Sequence, residues 1–483
     1  GGWQARGTAG WISDMNFLEE YYEAEWEEGY EQRTWLDLRR PIENRELRLI
    51  TSIRLDPFFT QTEWWPRLDH YFLGQPLLRD AVTWYEHSGI TYARQNLPQT
   101  PTVGQGLNYW TTLPYENNVI GERLATRHEL DLPFQAGAVK VVPYALGELA
   151  HWGEDLSQSP IDRAYGQVGI RATLPMWSVD NTVESRMWNV HGLAHKVVFE
   201  GEFSYTDSTQ SIDQFPLYDQ IDDDAINQYR RNIPYWDYGA VPGSPLPLPA
   251  AIVFGPNQKY DPRTYAVRRG MASWVTGPTE IANDLTAFRV AARQRWQTKR
   301  GPVGSRRIID WITFDVDGEF FPVTSQNFGQ VLGLWQYDFR WHVGDRTTVL
   351  STADVDFFSG GQQLYTVGAL LNRTPRGSLY LGFNQFGGPI SAAVLTGSYT
   401  YRMSPKWASS FGSAIDLTGR NIGQNFQLVR IGESFLMTFG FNVDYSRNNV
   451  GVTFNLEPRF LSRTQFASRS GIDLPMAGAY GLE

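Results

Sequence analysis

The sequence predicts an all-β fold, a large antiparallel transmembrane β-barrel of the outer-membrane type, with about 20 strands in this chain. Three observations predict it. Side chains alternate with a two-residue period over many long segments, aromatic residues make up 14% of the 483 residues, and short and long connections alternate along the chain. Amphipathic aromatic rings favour membrane–water interfaces, so their abundance agrees with the period.

The clearest alternation lies in SFLMTFGFNVDYSRNNVGVTFNLEPRF, residues 434–460. The apolar parity holds Phe435, Met437, Phe439, Phe441, Val443 and Tyr445 and, after a turn, Val450, Val452, Phe454 and Leu456. A period of two predicts strands with one apolar and one polar face. A soluble β-sandwich would show the same period. Candidate strands of about 10 to 16 residues, with rings at their ends and repeated Arg, Asp and Glu on the polar parity, favour the barrel with a water-filled lumen.

The same pattern locates each strand in turn, with the least regular alternation in the N-terminal third. The predicted strands span residues 1–13, 31–41, 45–57, 61–73, 80–95, 122–132, 137–152, 163–176, 193–206, 284–298, 305–321, 331–342, 346–357, 361–372, 376–386, 390–402, 405–417, 424–432, 434–446 and 449–460.

The connections between these strands alternate in length. Those expected on the periplasmic side are short, with one longer exception near 178–192, whereas the other side holds the long stretches 14–30, 96–121 and 207–283. Outer-membrane barrels show this asymmetry. The predicted organisation is therefore a barrel over residues 1–460, including the external loop 207–283, followed by a tail over 461–483.

Loop 207–283 opens with acidic residues in DQFPLYDQIDDD and continues with the proline-rich AVPGSPLPLPAAIVFGP. One interpretation is a disordered surface loop. The favoured one is a loop that packs over the barrel mouth or folds into the lumen, because long loops in compact proteins are usually functional.

Composition and motifs exclude several classes of function. No run of residues approaches the 18 or so apolar residues that a membrane helix needs. The formal charge of −10 argues against nucleic-acid binding, and the absence of cysteine excludes a disulfide or Cys-based metal site. The seven histidines show no H-E-x-x-H spacing, and nucleotide-binding and hydrolase motifs are absent. We therefore expect no enzyme activity and no catalytic, metal or cofactor site.

The final predicted strand carries a recognisable pattern. Asn449, Gly451, Phe454 and Leu456 fit polar-x-Gly-x-x-hydrophobic-x-hydrophobic. This resembles the C-terminal β-signal that the bacterial barrel-assembly machinery reads, which predicts that machinery as a partner.

Several segments together resemble the LPS-assembly protein LptD (organic solvent tolerance protein) family, in its C-terminal barrel portion. They are FLEEYYEAEWEEGYEQRTWLDLRR, TQTEWWPRLDHYFLGQPL, RHELDLPFQAGAVKVVPYALGELAHW, RAYGQVGIRATLPMW, GLAHKVVFEGEFSYTDSTQSIDQFPLYD and VGVTFNLEPRFLSRTQF. The resemblance implies a bacterial outer-membrane translocon. It would receive lipopolysaccharide from a periplasmic bridge and release it through a lateral opening between its first and last strands. It also implies an LptE-like lipoprotein as a plug.

The resemblance bears on Pro458, which has no amide donor. Pro458 would remove one hydrogen bond from the closed seam if its backbone nitrogen faced the seam, and would otherwise be an ordinary strand-end proline. This sequence departs from the family pattern in two respects. The family's N-terminal periplasmic domain is not in it, and about six strands would be absent if the full barrel has about 26. Disulfides known in some family members cannot form here.

Two other interpretations remain open. One is a porin-like or plugged barrel for solute uptake that moves no lipid. The other is a soluble, tryptophan-rich β-sandwich that binds or acts on polysaccharide.

Overall fold

The computed structural model describes residues 2–14, 17–18, 33–98, 113, 115–219, 221, 226, 259–302, 304–373, 376–388, 391–417, 420–445 and 448–458. Within these residues, 21 strands belong to one sheet, and the helical elements are α1 (Pro262–Arg268), short 3-10 turns and isolated helical residues at 17–18 and 226. The described helices include none that is both long and apolar enough to cross a membrane. The predicted tail 461–483 and most of the acidic stretch 14–30 lie outside the described residues.

The strands are longest in the first half of the chain. Their bounds are β1 Gln4–Thr8, β2 Thr34–Ile42, β3 Arg45–Ile53, β4 Gln61–Leu77, β5 Val82–Asn96, β6 Val119–Asp131, β7 Phe134–Ala136, β8 Val139–Trp152, β9 Ile161–Ser185, β10 Val190–Ser208, β11 Leu285–Arg300, β12 Arg307–Phe320, β13 Leu332–His342, β14 Thr347–Asp356, β15 Gln363–Asn372, β16 Gly377–Gly387, β17 Ala392–Ser404, β18 Trp407–Asp416, β19 Arg420–Ile431, β20 Phe435–Asp444 and β21 Asn449–Pro458.

These bounds confirm the predicted all-β, antiparallel fold class and correct it in detail. Each of the twenty predicted strands has a counterpart, and the additional strand is the three-residue β7. The predicted long connection near 178–192 is wrong. Strands β9 and β10 continue through most of that stretch and leave only residues 186–189 between them. The first strand covers five residues rather than 1–13.

The chain divides into two compact units. Unit 1 comprises Gly1–Leu174, Glu200–Arg289 and Glu319–Gly333. Its strands pair antiparallel in the succession β1, β2, β3, β4, β5, β6, β8 and β9, with β7 added beside β8. Its largest buried apolar cluster comprises Trp64, Ala93, Val119, Ala150, Trp152, Phe215 and Tyr218.

Unit 2 comprises Pro175–Phe199, Val290–Gly318 and Leu334–Glu483. Strands β13 to β21 form an uninterrupted antiparallel meander in chain order. Its buried apolar cluster is small and consists of Ala408, Val429, Ile431 and Leu436. Most large apolar side chains of this unit are therefore not enclosed by protein.

The apolar parity of the strands is exposed in each unit. On β21, Val452 and Phe454 are 80% and 59% exposed, and the ring of Phe439 on β20 packs against that of Phe454 at a tilt, with centroids 5.1 Å apart. Unit 1 shows the same arrangement, with Ile90, Leu124, Leu130, Leu149 and Val168 exposed. A soluble protein avoids apolar surface on this scale, whereas a sheet of the outer-membrane type presents it to lipid. The apolar face is thus not the inside of a sandwich.

We expect a charged side chain at Val452 to destabilise the protein in a bilayer. Val452→Arg places a guanidinium on the apolar face and should lower the free energy of unfolding by about 2–4 kcal/mol if the site lies near the bilayer midplane. The measurement is denaturant-induced unfolding of the protein inserted into phospholipid vesicles. Thr453→Arg is the matched control, since Thr453 is also exposed but points to the opposite face. Equal effects of the two substitutions would contradict a lipid-facing assignment.

Candidate functional site

The charged side chains of unit 1 converge on one face of strands β4, β5, β6, β8 and β9. The connection between β10 and β11 packs against that face. Its described parts, 209–219 and 259–284, are named here the covering segment. That the loop packs over the barrel mouth or folds into the lumen stays a prediction, and the rest of loop 207–283 lies outside the described residues, apart from 207–208, which end β10, and from 221 and 226.

The covering segment is locally well ordered for reasons visible in its sequence. A 3-10 turn over Ile212–Gln214 begins after Ser211, whose hydroxyl accepts a hydrogen bond from the Asp213 amide. Helix α1 begins after Asp261, whose carboxylate accepts a bond from the Arg263 amide, with proline at the first helical position. Gly270 then adopts a left-handed conformation with φ 72°, which turns the chain out of the helix. These local signals fix the segment before it meets the sheet.

Aromatic side chains anchor the segment on the sheet. The ring of Phe215 packs on Trp152 with centroids 4.3 Å apart. Tyr218 meets Trp64 edge-on at 6.3 Å. The Gln95 side-chain amide also donates to the Leu217 carbonyl at 2.8 Å. The contact therefore combines apolar burial with directed hydrogen bonds.

At the centre of the contact, the carboxylate of Asp219 lies between two guanidinium groups of the sheet. Arg67 Nη1 donates to its Oδ1 at 2.5 Å, and Arg123 Nη1 donates to its Oδ2 at 2.8 Å. Arg123 Nη1 also donates to Glu280 Oε1 at 2.6 Å. The Asp219 amide in turn donates to Glu280 Oε2 at 3.2 Å, so the two parts of the covering segment are joined at the same place.

A bulge in β4 brings Trp64 and Arg67 to the same face. Residues three apart in a regular strand point to opposite faces, but the pairing of β4 with β5 shifts register between Trp64 and Arg67. The guanidinium groups of Arg67 and Arg123 lie 5.0 and 5.2 Å from the Trp64 ring centroid. The indole thus forms an apolar floor beneath both charges.

Further arginines of the same face hold the second half of the segment. Arg127 and Arg163 share the buried carboxylate of Glu148. Arg127 Nη1 donates to the Trp274 carbonyl at 3.0 Å, and Arg163 donates to the Thr279 carbonyl. Two further arginines donate to backbone carbonyls of the segment: Arg171 donates to that of Ser273, and Arg289 donates to that of Arg268. Guanidinium groups are thus the main charged donors to the segment.

The two segment carboxylates differ in their acidity. Burial alone would raise the pKa of Asp219, but the charges of Arg123 and Arg67 outweigh it and hold the pKa well below its ordinary value. Burial, together with the neighbouring Asp219 carboxylate, raises the pKa of Glu280 against the opposing charge of Arg123. Asp219 is therefore the carboxylate that remains ionised into acidic pH.

The residues of the predicted β-signal lie elsewhere, on β21 of unit 2. Gly451 pairs with Asn442, and a Cβ at position 451 would approach the Asn442 Oδ1 within 2.2 Å, so glycine leaves room for that side chain. The remaining members pair with β20: Asn449 with Asp444, Phe454 with Phe439, Leu456 with Met437 and Pro458 with Phe435. These positions fit a terminal strand, and their recognition by a partner stays a prediction.

The cluster of Arg67, Arg123, Asp219 and Glu280 is not predicted by the sequence pattern. The arginines do sit on the polar parity, but that parity predicts a water-filled surface, whereas Arg127 and Arg163 are each only 2% exposed. The one usable signal was the acidic and aromatic opening of the loop, DQFPLYD, which has the composition of a segment that binds to arginines.

Comparisons with known proteins assign no family to the chain. No protein-family model and no curated protein sequence matches it. Among solved structures, the siderophore receptor PirA from Pseudomonas aeruginosa is 8% identical with a TM-score of 0.35, over 88% of this chain and 68% of that one. The ferric enterobactin receptor PfeA mutant from the same organism is 9% identical with a TM-score of 0.36, over 88% and 69%. A Rhodopseudomonas blastica porin mutant is 11% identical with a TM-score of 0.25, over 78% and 97%. The resemblance to the LPS-assembly family remains untested by these comparisons.

We predict that Asp219→Ala releases the covering segment. The substitution leaves two buried guanidinium groups without this partner, which should cost about 3–5 kcal/mol. Hydrogen exchange of the backbone amides of 212–219 should accelerate accordingly. Asp338→Ala is the control, since Asp338 pairs with Arg340 in an exposed salt bridge, and such pairs contribute less than about 1 kcal/mol. Unchanged exchange in Asp219→Ala would show that the aromatic contacts alone hold the segment.

Proposed function

We propose that this chain forms the wall of a transport barrel in the bacterial outer membrane, a plugged barrel for solute uptake whose passage is closed by its own covering segment. The exposed apolar face would contact lipid, and the charged face would line the lumen. The observation that carries the proposal is the attachment of the covering segment to the charged face through Asp219, Glu280 and a series of arginines.

The burial of charge supports a plugged rather than an open pore. Arg127, Arg163 and Glu148 would be hydrated in an open porin-like lumen, yet Glu148 is only 3% exposed and both arginines donate to the segment. A solute could pass this face only after the segment moves. Movable closure by a loop is a common way to control access to a site.

The test is electrical conductance in planar lipid bilayers. The wild-type protein should show low conductance, because the segment occupies the lumen. Arg67→Ala combined with Arg123→Ala removes both guanidinium partners of Asp219 and should raise the single-channel conductance or the fraction of time spent open.

The matched control for that variant is Arg340→Ala, which removes an arginine from an exposed pair and should leave conductance unchanged. If the wild-type protein conducts as a wide pore and the double variant behaves identically, the segment does not close the passage and the plugged-barrel proposal is wrong.

A second candidate function is insertion of lipopolysaccharide into the outer leaflet, as the family resemblance implies. One structural feature favours it: residues 452–456 of β21 are all exposed, so neither face of the strand is covered there. A strand inside a continuous sheet would have at least one face covered by neighbouring side chains. In this proposal β21 borders the lateral opening, and the periplasmic bridge, the LptE-like lipoprotein and the barrel-assembly machinery are its partners. A weakly paired strand would allow a lipid to leave sideways.

Photo-crosslinking separates the two candidates. A crosslinker at Phe454 or Leu456 should capture lipopolysaccharide in cells if β21 borders its exit. Leu381 on β16 is the control, because its side chain is 57% exposed, nearly as much as that of Phe454. Capture that is clearly stronger on β21 than at Leu381 supports lipid export. Equal capture at all three positions means that only surrounding lipid is detected, which leaves solute uptake as the proposed function.

A further inference from the structure

Charge balance on the covered face points to the chemistry of the transported solute. Four arginines of the sheet meet here: Arg67, Arg123, Arg127 and Arg163. The sheet itself supplies two carboxylates to them, because Asp69 pairs with Arg67, and Glu148 is shared by Arg127 and Arg163. These four arginines and their two sheet carboxylates carry a local excess of two positive charges, whereas the neighbouring Arg171 has sheet carboxylates of its own in Glu129, Asp131 and Glu202. Asp219 and Glu280 of the covering segment match this excess when both are ionised.

The excess is concentrated at Arg123. Both carboxylates that Arg123 contacts, Asp219 and Glu280, belong to the covering segment. Arg67 keeps Asp69 when the segment leaves, but loses Asp219. Movement of the segment would therefore expose the Arg123 guanidinium, which has no carboxylate partner among the described sheet residues. Beside it, Arg67 would have lost one of its two carboxylate partners.

Neighbouring groups give the vacated position the properties of a binding site. The Trp64 ring lies against both guanidinium groups at 5.0 and 5.2 Å and limits their movement. Arg163, which is 2% exposed, has two nitrogens, Nε and Nη1, without a hydrogen-bond acceptor among the described residues. Fixed guanidinium forks bind carboxylate and phosphate oxygens in pairs, more strongly than neutral donors do.

We infer that this face is a binding site for a multivalent oxyanion, carrying phosphate or carboxylate groups, and that Asp219 and Glu280 of the covering segment occupy it as an internal ligand. The inference rests on the proposed transport function and names its substrate class. The solute displaces the segment by offering the same oxyanions to Arg67 and Arg123. Closure and recognition thus use the same arginines.

Binding of pyrophosphate to the detergent-solubilised full chain tests this, measured by isothermal titration calorimetry, with tricarballylate as a carboxylate probe in parallel. Asp219→Asn combined with Glu280→Gln removes the internal charges with little change in shape. This variant should bind at least one probe about tenfold more tightly than wild type, equivalent to about 1.4 kcal/mol. Adding Arg123→Gln should abolish the gain. The probe that gains more identifies the group, phosphate or carboxylate.

The control variant is Asp338→Asn, which removes a carboxylate from an exposed pair and should not change the affinity. Equal affinity of wild type and the double variant for both probes would overturn the inference, and so would a gain that survives Arg123→Gln.

Hydrogen exchange of the wild-type protein gives a second readout that needs no substitution at the site. Saturating pyrophosphate or tricarballylate should accelerate exchange of 212–219 by competition, and protection unchanged by both probes would contradict the inference. Binding and conductance are measured separately. Anion binding by the wild type, together with an unchanged conductance of the Arg67→Ala, Arg123→Ala variant, refutes the plugged-barrel proposal alone. A raised conductance of that variant, with no anion binding by the wild type or by the Asp219→Asn, Glu280→Gln variant, refutes this inference alone.

Discussion

The alternation of side chains along each strand is the constraint on which the rest of the structure depends. Antiparallel pairing satisfies the backbone within the sheet, so the side chains must separate into one set for an apolar medium and one for charge. A slip of one residue between β20 and β21 would reverse this separation. The register is held by specific contacts, such as Phe439 opposite Phe454 and the Asn442 side chain over Gly451. Where a side chain is needed on the other face, as at Arg67, the strand contains a bulge.

The charged face of unit 1 imposes a second requirement, because buried guanidinium groups must keep their partners. Removing a charge from water costs several kcal/mol, and only close, hydrogen-bonded counter-charges offset it. Arg123 and Arg163 obtain part of this compensation from the covering segment rather than from the sheet. The attachment is therefore strong but conditional. The segment can detach when water or another anion takes over its contacts with the arginines, whereas an apolar solute cannot make those contacts.

The strands of the sheet can be predicted from the sequence because alternation is a pattern of residues that are neighbours in the chain. Alternation alone places Asp315 and Asp317 on the polar parity of β12 and Arg293 and Arg295 on that of β11. In the structure these residues form two ion pairs, each 2.5 Å long. The error near 178–192 arose where polar residues in SVDNTVES interrupt the apolar parity, although the backbone of β9 remains extended. The predicted strand 1–13 failed for the opposite reason, since alternation there continues beyond the paired residues.

The site could not be predicted in the same way, because the residues that pair in it are distant in the chain. Alternation also does not distinguish a hydrated charged side chain from a buried one. Asp219 lies 152 residues from Arg67 and 96 from Arg123. Arg123 and Arg340 both occupy the polar parity of a strand, yet the first is 4% exposed and the second is exposed to solvent. Which of them is buried depends on where a long loop packs.

Charge explains why that loop packs where it does. The chain has 52 acidic and 42 basic residues, so an average surface would repel an acidic segment. The surroundings of Arg123 depart from this average, because both carboxylates that Arg123 contacts belong to the loop and not to the sheet. The acidic opening of the loop is attracted there by Coulomb forces that are weakly screened in a buried site. The same attraction acts on any oxyanion that reaches the face, so in the proposed plugged barrel a loop held in this way would also select for solutes that carry the same charged groups.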